Sequence, residues 1–219
     1  MRHSTFRGVL PPDFNWLNLM QGILDARNGA FMEEMQERKK TLGSKRSMGR
    51  VDCAVLYSVV RAFRPRICVE TGANTGMASS FILRALADEG VTDGRLYGIE
   101  YDQACAIGSM IPEELRAGFT PCPGNVKGFM KEHDGPAEID FFLHDSMHRY
   151  KHQYGEFKHF WARLRPGGLL VSHDVNMNAA FTDFVSKTYV HDAKGFSVAG
   201  KTGHSLWARW GNLGFMVKA

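Results

Sequence analysis

Residues 67–76 read Ile-Cys-Val-Glu-Thr-Gly-Ala-Asn-Thr-Gly, and a helix-forming run opens at Met77. The apolar, β-branched start predicts a short strand, and the glycines that follow predict a turn feeding a helix N-terminus. A strand that ends in such a turn is a ligand-binding crossover in open α/β sheets. Glycine lets the backbone come close to a ligand, and the helix start offers unpaired N–H groups to polar atoms. The glycine spacing is G-x-x-x-G. The G-x-G-x-x-G of dinucleotide binders, which seats a pyrophosphate against the helix, is absent. Glu70 closes the strand instead. A carboxylate there repels phosphate and suits the ammonium of a bound amino acid.

Working outward, strand and helix signals alternate. Residues 51–63 carry apolar positions at helical spacing, and Pro65 follows as a stop. Residues 78–87 read as helix, 96–99 as strand, 104–110 as a weak helix and 139–143 as strand. Residues 150–164 read as helix, 169–171 as strand after the turn Pro166-Gly167-Gly168, and 179–187 as helix. The last two strands are expected at 196–198 and 213–217, joined by a connection holding Trp207 and Trp210. This alternation predicts a mostly parallel sheet covered on both faces. The final pair, with no helix between its strands, is free to run antiparallel.

Chemistry-bearing residues fall where these strands end. Glu100 closes the 96–99 strand, in the window of about 20 to 30 residues after the glycine turn where an acid can accept both ribose hydroxyls. Asp145 and His148 follow the 139–143 strand; His173, Asp174 and Asn176 follow the 169–171 strand. Two carboxylates converging with an amide oxygen suit a hard divalent cation such as Mg2+, so Asp145, Asp174 and Asn176 are candidate metal ligands. A neutral imidazole can take a hydroxyl proton near pH 7, which makes His148 a candidate base. His173 reads as a hydrogen-bonding wall residue.

Taken in order, Glu70 through Gly76, Gly98-Ile99-Glu100, Asp145 and Pro166-Gly167-Gly168 resemble the motifs of class I S-adenosylmethionine-dependent methyltransferases. The stretch Leu143-His144-Asp145-Ser146-Met147-His148-Arg149-Tyr150 is similar to the small-molecule O-methyltransferase subgroup called methyltransferase family 24. So are Glu156-Phe157, Trp161, Asp174-Val175-Asn176, Ala179-Ala180-Phe181 and Asp183-Phe184. The resemblance covers residues 51–219. It implies a Rossmann-like, doubly wound α/β sheet of seven strands, with the last strand antiparallel and inserted beside the fifth. It also implies S-adenosyl-L-methionine as cofactor. Glu70, Gly72, Asn74, Thr75 and Gly76 would surround its methionine part, Glu100 its ribose and Asn125 its adenine, with Asp145 lining the methyl-donor pocket. Ser79 or Ser80 could hydrogen-bond it, or lie on the helix surface. Asp145, His148 and Asp174 would surround a small-molecule acceptor. Metal-dependent relatives carry an adjacent Asp-Asn pair, whereas here Val175 separates Asp174 from Asn176.

Residues 1–50 lie outside the resemblance and read as an N-terminal helical cap or lid on the 51–219 domain. Phe14, Trp16, Leu17, Leu19, Met20, Ile23 and Leu24 give it one apolar face. Phe14, Trp16, Phe31, Met32, Met35 and Met48 are its core, or a cover over an apolar acceptor. Its surface is also one on which a homodimer could form. The chain has 219 residues, enough for one α/β domain. Its net charge of +4 argues against a dedicated nucleic-acid partner. The basic residues Arg38, Lys39, Lys40, Lys45, Arg46 and Arg50 read as a solvated helix end and loop, or as a gate for an anionic substrate. None of the four cysteines forms a C-x-x-C pair. No apolar run of about 18 residues suggests a membrane span, no signal peptide is evident, and the expected location is the cytoplasm. Three rivals remain: a nicotinamide oxidoreductase, a nucleic-acid methyltransferase, and a fold relative that binds cofactor without catalysis.

Overall fold

This computed structural model describes residues 16–44, 47–102, 104–132, 136–194, 206–210 and 212–218. Helices α1 (Trp16–Asn28), α2 (Ala30–Thr41) and α3 (Arg50–Phe63) precede the sheet. Then come β1 (Ile67–Thr71), α4 (Met77–Asp88), β2 (Arg95–Glu100), a 3₁₀ turn (Glu113–Gly118), β3 (Phe119–Pro123) and α5 (Val126–Glu132). The chain continues through β4 (Ile139–His144), α6 (Tyr150–Trp161), β5 (Leu164–Ser172), α7 (Ala180–Lys194), β6 (Leu206–Trp210) and β7 (Leu213–Val217).

The seven strands form one sheet in the order β3-β2-β1-β4-β5-β7-β6. The first five run parallel, β7 lies antiparallel to β5, and β6 antiparallel to β7. The sheet therefore winds in opposite senses from β1 and β4, and the crevice at their carboxyl ends is where ligands bind in such sheets. Because strand side chains alternate, the sheet feeds two cores, one on each face. Cys68, Phe141, Leu143, Leu169, Val171, Phe215 and Val217 pack with α1–α4. Val69, Phe142, Leu170 and Met216 pack with α6 and α7, and the rings of Phe142 and Phe160 stack at 4.1 Å. Met32, Met35 and Met48 are buried in the first of these cores, with Phe31 packed against it. Among the basic residues near α2, Arg38 pairs with Glu34, Lys40 with Glu37 and Arg50 with Glu33.

Three expectations are corrected. Residues 104–110 do not form a helix. Gly108 takes φ +70° in close contact with the Phe119 ring, and the segment's N–H groups bond to the glycine loop instead: Gly108 N to Asn74 O at 3.0 Å and Met110 N to Thr75 O at 2.7 Å. The Pro166-Gly167-Gly168 turn lies inside β5, where Gly167 N donates to Lys218 O and Lys218 N to Gly168 O; β5 begins at Leu164, so α6 stops at Trp161. Trp207 and Trp210 belong to β6 rather than to a connection, with Trp210 registered on Leu213. The expected strand at 196–198 lies outside the described residues, as do Phe14, Lys45 and Arg46.

Candidate functional site

Above the carboxyl ends of β1, β2 and β4 lies a cavity of ≈ 1510 Å³. Pockets for one drug-sized ligand run to about 1,000 Å³, so this one has room for a cofactor and an acceptor together. Glu70, Gly72, Asn74, Thr75, Glu100, Asn125, Asp145, His148 and Asp174 all line it. Two expected site residues do not. Gly76 is the N-cap of α4; its N–H is spent on Ala73 O and its carbonyl accepts from Ser80. Asn176 is exposed and is not part of the cavity lining.

The glycine loop is held by acids and by its neighbours. Gly72 N and Ala73 N donate to Ile99 O. Asn74, in the left-handed region at φ +47°, donates its N–H to Glu100 Oε2 at 2.9 Å, while Asp102 N donates to Glu100 Oε1. Thr75 reaches Ser44 of the α2–α3 connection, 3.2 Å between hydroxyls. That connection also puts Ser47 and Met48 on the cavity wall, and the Ser47 hydroxyl is buried without a partner among the described residues. Asn125 caps the start of α5, its Oδ1 accepting from Gly128 N.

Glu70 is fully buried. Ser79 Oγ donates to its Oε2 at 2.5 Å, and its Oε1 has no partner among the described residues. Burial pushes its pKa up, the Ser79 bond opposes that, and the charges of Asp145 and Glu100 add to it, to about 8. A buried acid with one unpaired oxygen on a cavity wall is a socket for a cation, since an unmet buried acceptor is costly. Among the described residues the Ser80 hydroxyl donates to Gly76 O, at the N-cap of its own helix.

Glu156 of α6 gathers the other side. Its Oε2 accepts from Thr71 Oγ1 (2.7 Å), His144 Nδ1 (2.8 Å) and Ser146 Oγ (3.0 Å), and its Oε1 from His152 Nε2 (2.9 Å). Burial would raise its pKa, but the bonds from His144 and His152 prevail and hold it at about 2. His148 Nε2 lies 3.3 Å from Asp174 Oδ2, and its Nδ1 is buried without a partner among the described residues. Burial lowers the His148 pKa against the pull of Asp145 and Asp174, which favours the neutral ring.

His173 sits among three acids. Its Nδ1 is 2.9 Å from Asp145 Oδ1 and 3.5 Å from Asp174 Oδ2, and its Nε2 is 3.4 Å from Asp52 Oδ2 of α3. Burial pulls its pKa down, but the bonds to Asp145 and Asp52 outweigh that and hold it at about 10. Asp145, Asp174 and Asn176 do not fit Mg2+: an imidazole lies between the two acids and the amide is elsewhere. Among the described residues no group of three or more His, Cys, Asp or Glu is arranged to hold a metal.

The residues that sequence reading left without a role are Ser47, Asp52, His144, His152 and Glu156. His152 and Glu156 stand four apart, one helical turn, and that spacing was the one readable sign. Asp52 and His173 stand 121 positions apart, and nothing local announces their contact.

Residues 69–175 match the family described as a methyltransferase domain. No curated protein matches the chain. Among solved structures, the O-methyltransferase TomG of Streptomyces achromogenes, involved in tomaymycin synthesis and in complex with SAM, superposes with a TM-score of 0.63 at 19% identity, covering 94% of this chain and 97% of that one. The O-methyltransferase of Bacillus cereus in complex with SAH gives 0.63 at 15% identity, covering 92% and 97%. At these identities the likeness is one of fold: the chain has the class I methyltransferase fold. No described helix is long and apolar enough to cross a membrane.

Proposed function

We propose, from the match of residues 69–175 to a methyltransferase domain, that the chain transfers the methyl group of S-adenosyl-L-methionine to an oxygen of a small hydroxylated molecule. The observation that carries this reading is Glu70, a buried acid with one unpaired oxygen among the described residues, on the wall of a cavity large enough for two molecules. Glu100 lies across the same glycine loop, its carboxylate accepting from Asn74 N and Asp102 N, and is the acid assigned to the ribose. The bound SAM and SAH of the two fold neighbours support it.

When bound, S-adenosylmethionine supplies a methyl group already activated on a sulfonium. The protein has to align the acceptor and manage one proton. His148 Nε2 lies 3.3 Å from the Asp174 carboxylate, which favours the hydrogen on Nε2, and Nδ1, partnerless among the described residues, is the nitrogen assigned to take the acceptor's hydroxyl proton. Asp145 lines the cavity beside it, and its carboxylate, with that of Asp174, steadies the imidazolium that forms. Replacing His148 by Ala should lower the transfer rate about a hundredfold or more and leave S-adenosylhomocysteine affinity unchanged. Initial rates and calorimetry on the same preparation check this. Full activity in the variant would remove His148 from the mechanism.

Calorimetric titration of S-adenosylhomocysteine is the direct test. Micromolar binding, about −8 kcal/mol, is expected, and no binding would defeat the reading. The titration should also release a proton. Glu70 in the free protein has a pKa of about 8 and must ionise to meet the ligand ammonium. Affinity therefore rises with pH below about 8, by at most about tenfold per unit, and levels off above it. Repeating the titration in buffers of different ionisation enthalpy counts the proton, and Glu70→Gln should abolish its release.

A further inference from the structure

We infer that His173 occupies the place a divalent cation would need, and that methyl transfer at this site proceeds without one. The inference rests on the methyltransferase reading of the cavity. A magnesium ion binds oxygens at about 2.0–2.1 Å in an octahedron. The point between the Asp145 and Asp174 carboxylates is instead held by a ring nitrogen, 2.9 Å from one and 3.5 Å from the other. The opposite ring nitrogen faces a third carboxylate, Asp52, at 3.4 Å. Both nitrogens therefore face carboxylate oxygens, and the ring takes up the space between the acids that a cation would fill. The exposed Asn176 supplies no oxygen on this wall to replace it.

His173 thus does two of the things a bound cation would do. It offsets the charge of converging acids, and it ties together α3, the end of β4 and the end of β5, through Asp52, Asp145 and its own backbone N–H to His144 O at 2.9 Å. It does not do the third, which is to polarise the acceptor oxygen as a Lewis acid. That leaves proton removal to a base, and the neighbouring His148 has the free nitrogen for it. His173 is a positioning residue in this arrangement.

The test uses the full chain with saturating S-adenosylhomocysteine and Mn2+ as the probe, followed by electron paramagnetic resonance of the free ion. Wild type should leave the Mn2+ signal undiminished. His173→Asp, which removes the ring and adds an oxygen donor, should gain a saturable site at least about tenfold tighter than anything in wild type. His173→Asn is the second variant, smaller in charge change, with a weaker gain expected. S-adenosylhomocysteine binding by each variant reports whether its cavity is intact. Saturable Mn2+ binding by wild type overturns the inference. So does the absence of any gain in a variant that still binds S-adenosylhomocysteine, since the ring would then not be what holds the cation's place. If wild type fails to bind S-adenosylhomocysteine, the cofactor reading falls, while the wild-type Mn2+ titration still judges the metal question.

Discussion

Replacing Glu156 by Ala should destabilise the protein by about 3–5 kcal/mol, the cost of removing one partner from a buried charged network. At this chain length that is a fall of about 10 °C in Tm. Four donors lose their acceptor at once: Thr71, His144, Ser146 and His152. The His144 side chain is fully buried, so its Nδ1 has no other acceptor in place among the described residues when the carboxylate is removed. The loss also carries a pH signature. Glu156 has a folded pKa of about 2 against an ordinary 4.5, so its contribution is complete above about 4.5 and is lost as pH falls towards 2. Urea melts of wild type should weaken over that window, and melts of Glu156→Ala should weaken less. Glu156→Gln keeps an acceptor oxygen but sets an amide N–H₂ against donors, so it should fall between the two.

Gly72→Ala should remove cofactor binding and cost about 3 kcal/mol or more. Gly72 has φ +81°, where an L side chain costs about 1–2 kcal/mol. A Cβ there would also meet Asp145 O at 2.2 Å, Asp145 C at 2.6 Å and Ser146 Cα at 2.8 Å. All three are backbone atoms, so no side-chain rotation relieves the contact, and overpacking adds about 1–3 kcal/mol. The strand ends would have to part where Asp145 N now donates to Thr71 O at 2.9 Å. That separation moves Glu70 and Asp145 relative to each other. Calorimetry with S-adenosylhomocysteine and a thermal melt check both parts. A variant with native affinity would show that the β1–β4 edge yields more easily than this geometry allows.

Much of this architecture is legible in the chain because the buried strands are continuous apolar runs, as in Ile67-Cys68-Val69 and Phe141-Phe142-Leu143. The glycine loop and its flanking acids are legible for a similar reason: their chemistry is local. β6 is not. Leu206-Trp207-Ala208-Arg209-Trp210 mixes aromatic, small and charged residues at a sheet edge, where one side needs no partner strand. The start of β5 is hidden by Pro166 and two glycines, which sequence reading takes for a turn. The segment after Glu100 has helix-forming residues, yet its N–H groups are claimed by Asn74 and Thr75, a tertiary contact that overrides propensity. The acid and histidine network fails to show for the same reason on a larger scale. Thr71 and Glu156, or Asp52 and His173, meet only through the fold, and the pairing of Asp145 with His173 turns two predicted metal ligands into partners of an imidazole.

The sheet order has a consequence for how the site comes into being. β1 pairs with β4, Cys68 against Phe141, so the two halves of the cavity wall are synthesised some 70 positions apart and meet only after β2, β3 and their connections exist. Parallel pairing at such separation is slow, because the loop must close before the contact rewards it. The Glu70 socket and the Asp145 wall therefore exist only once the β1–β4 pairing has closed. A nascent or cleaved chain ending before β4 would contain the whole glycine loop and yet offer the cofactor no pocket.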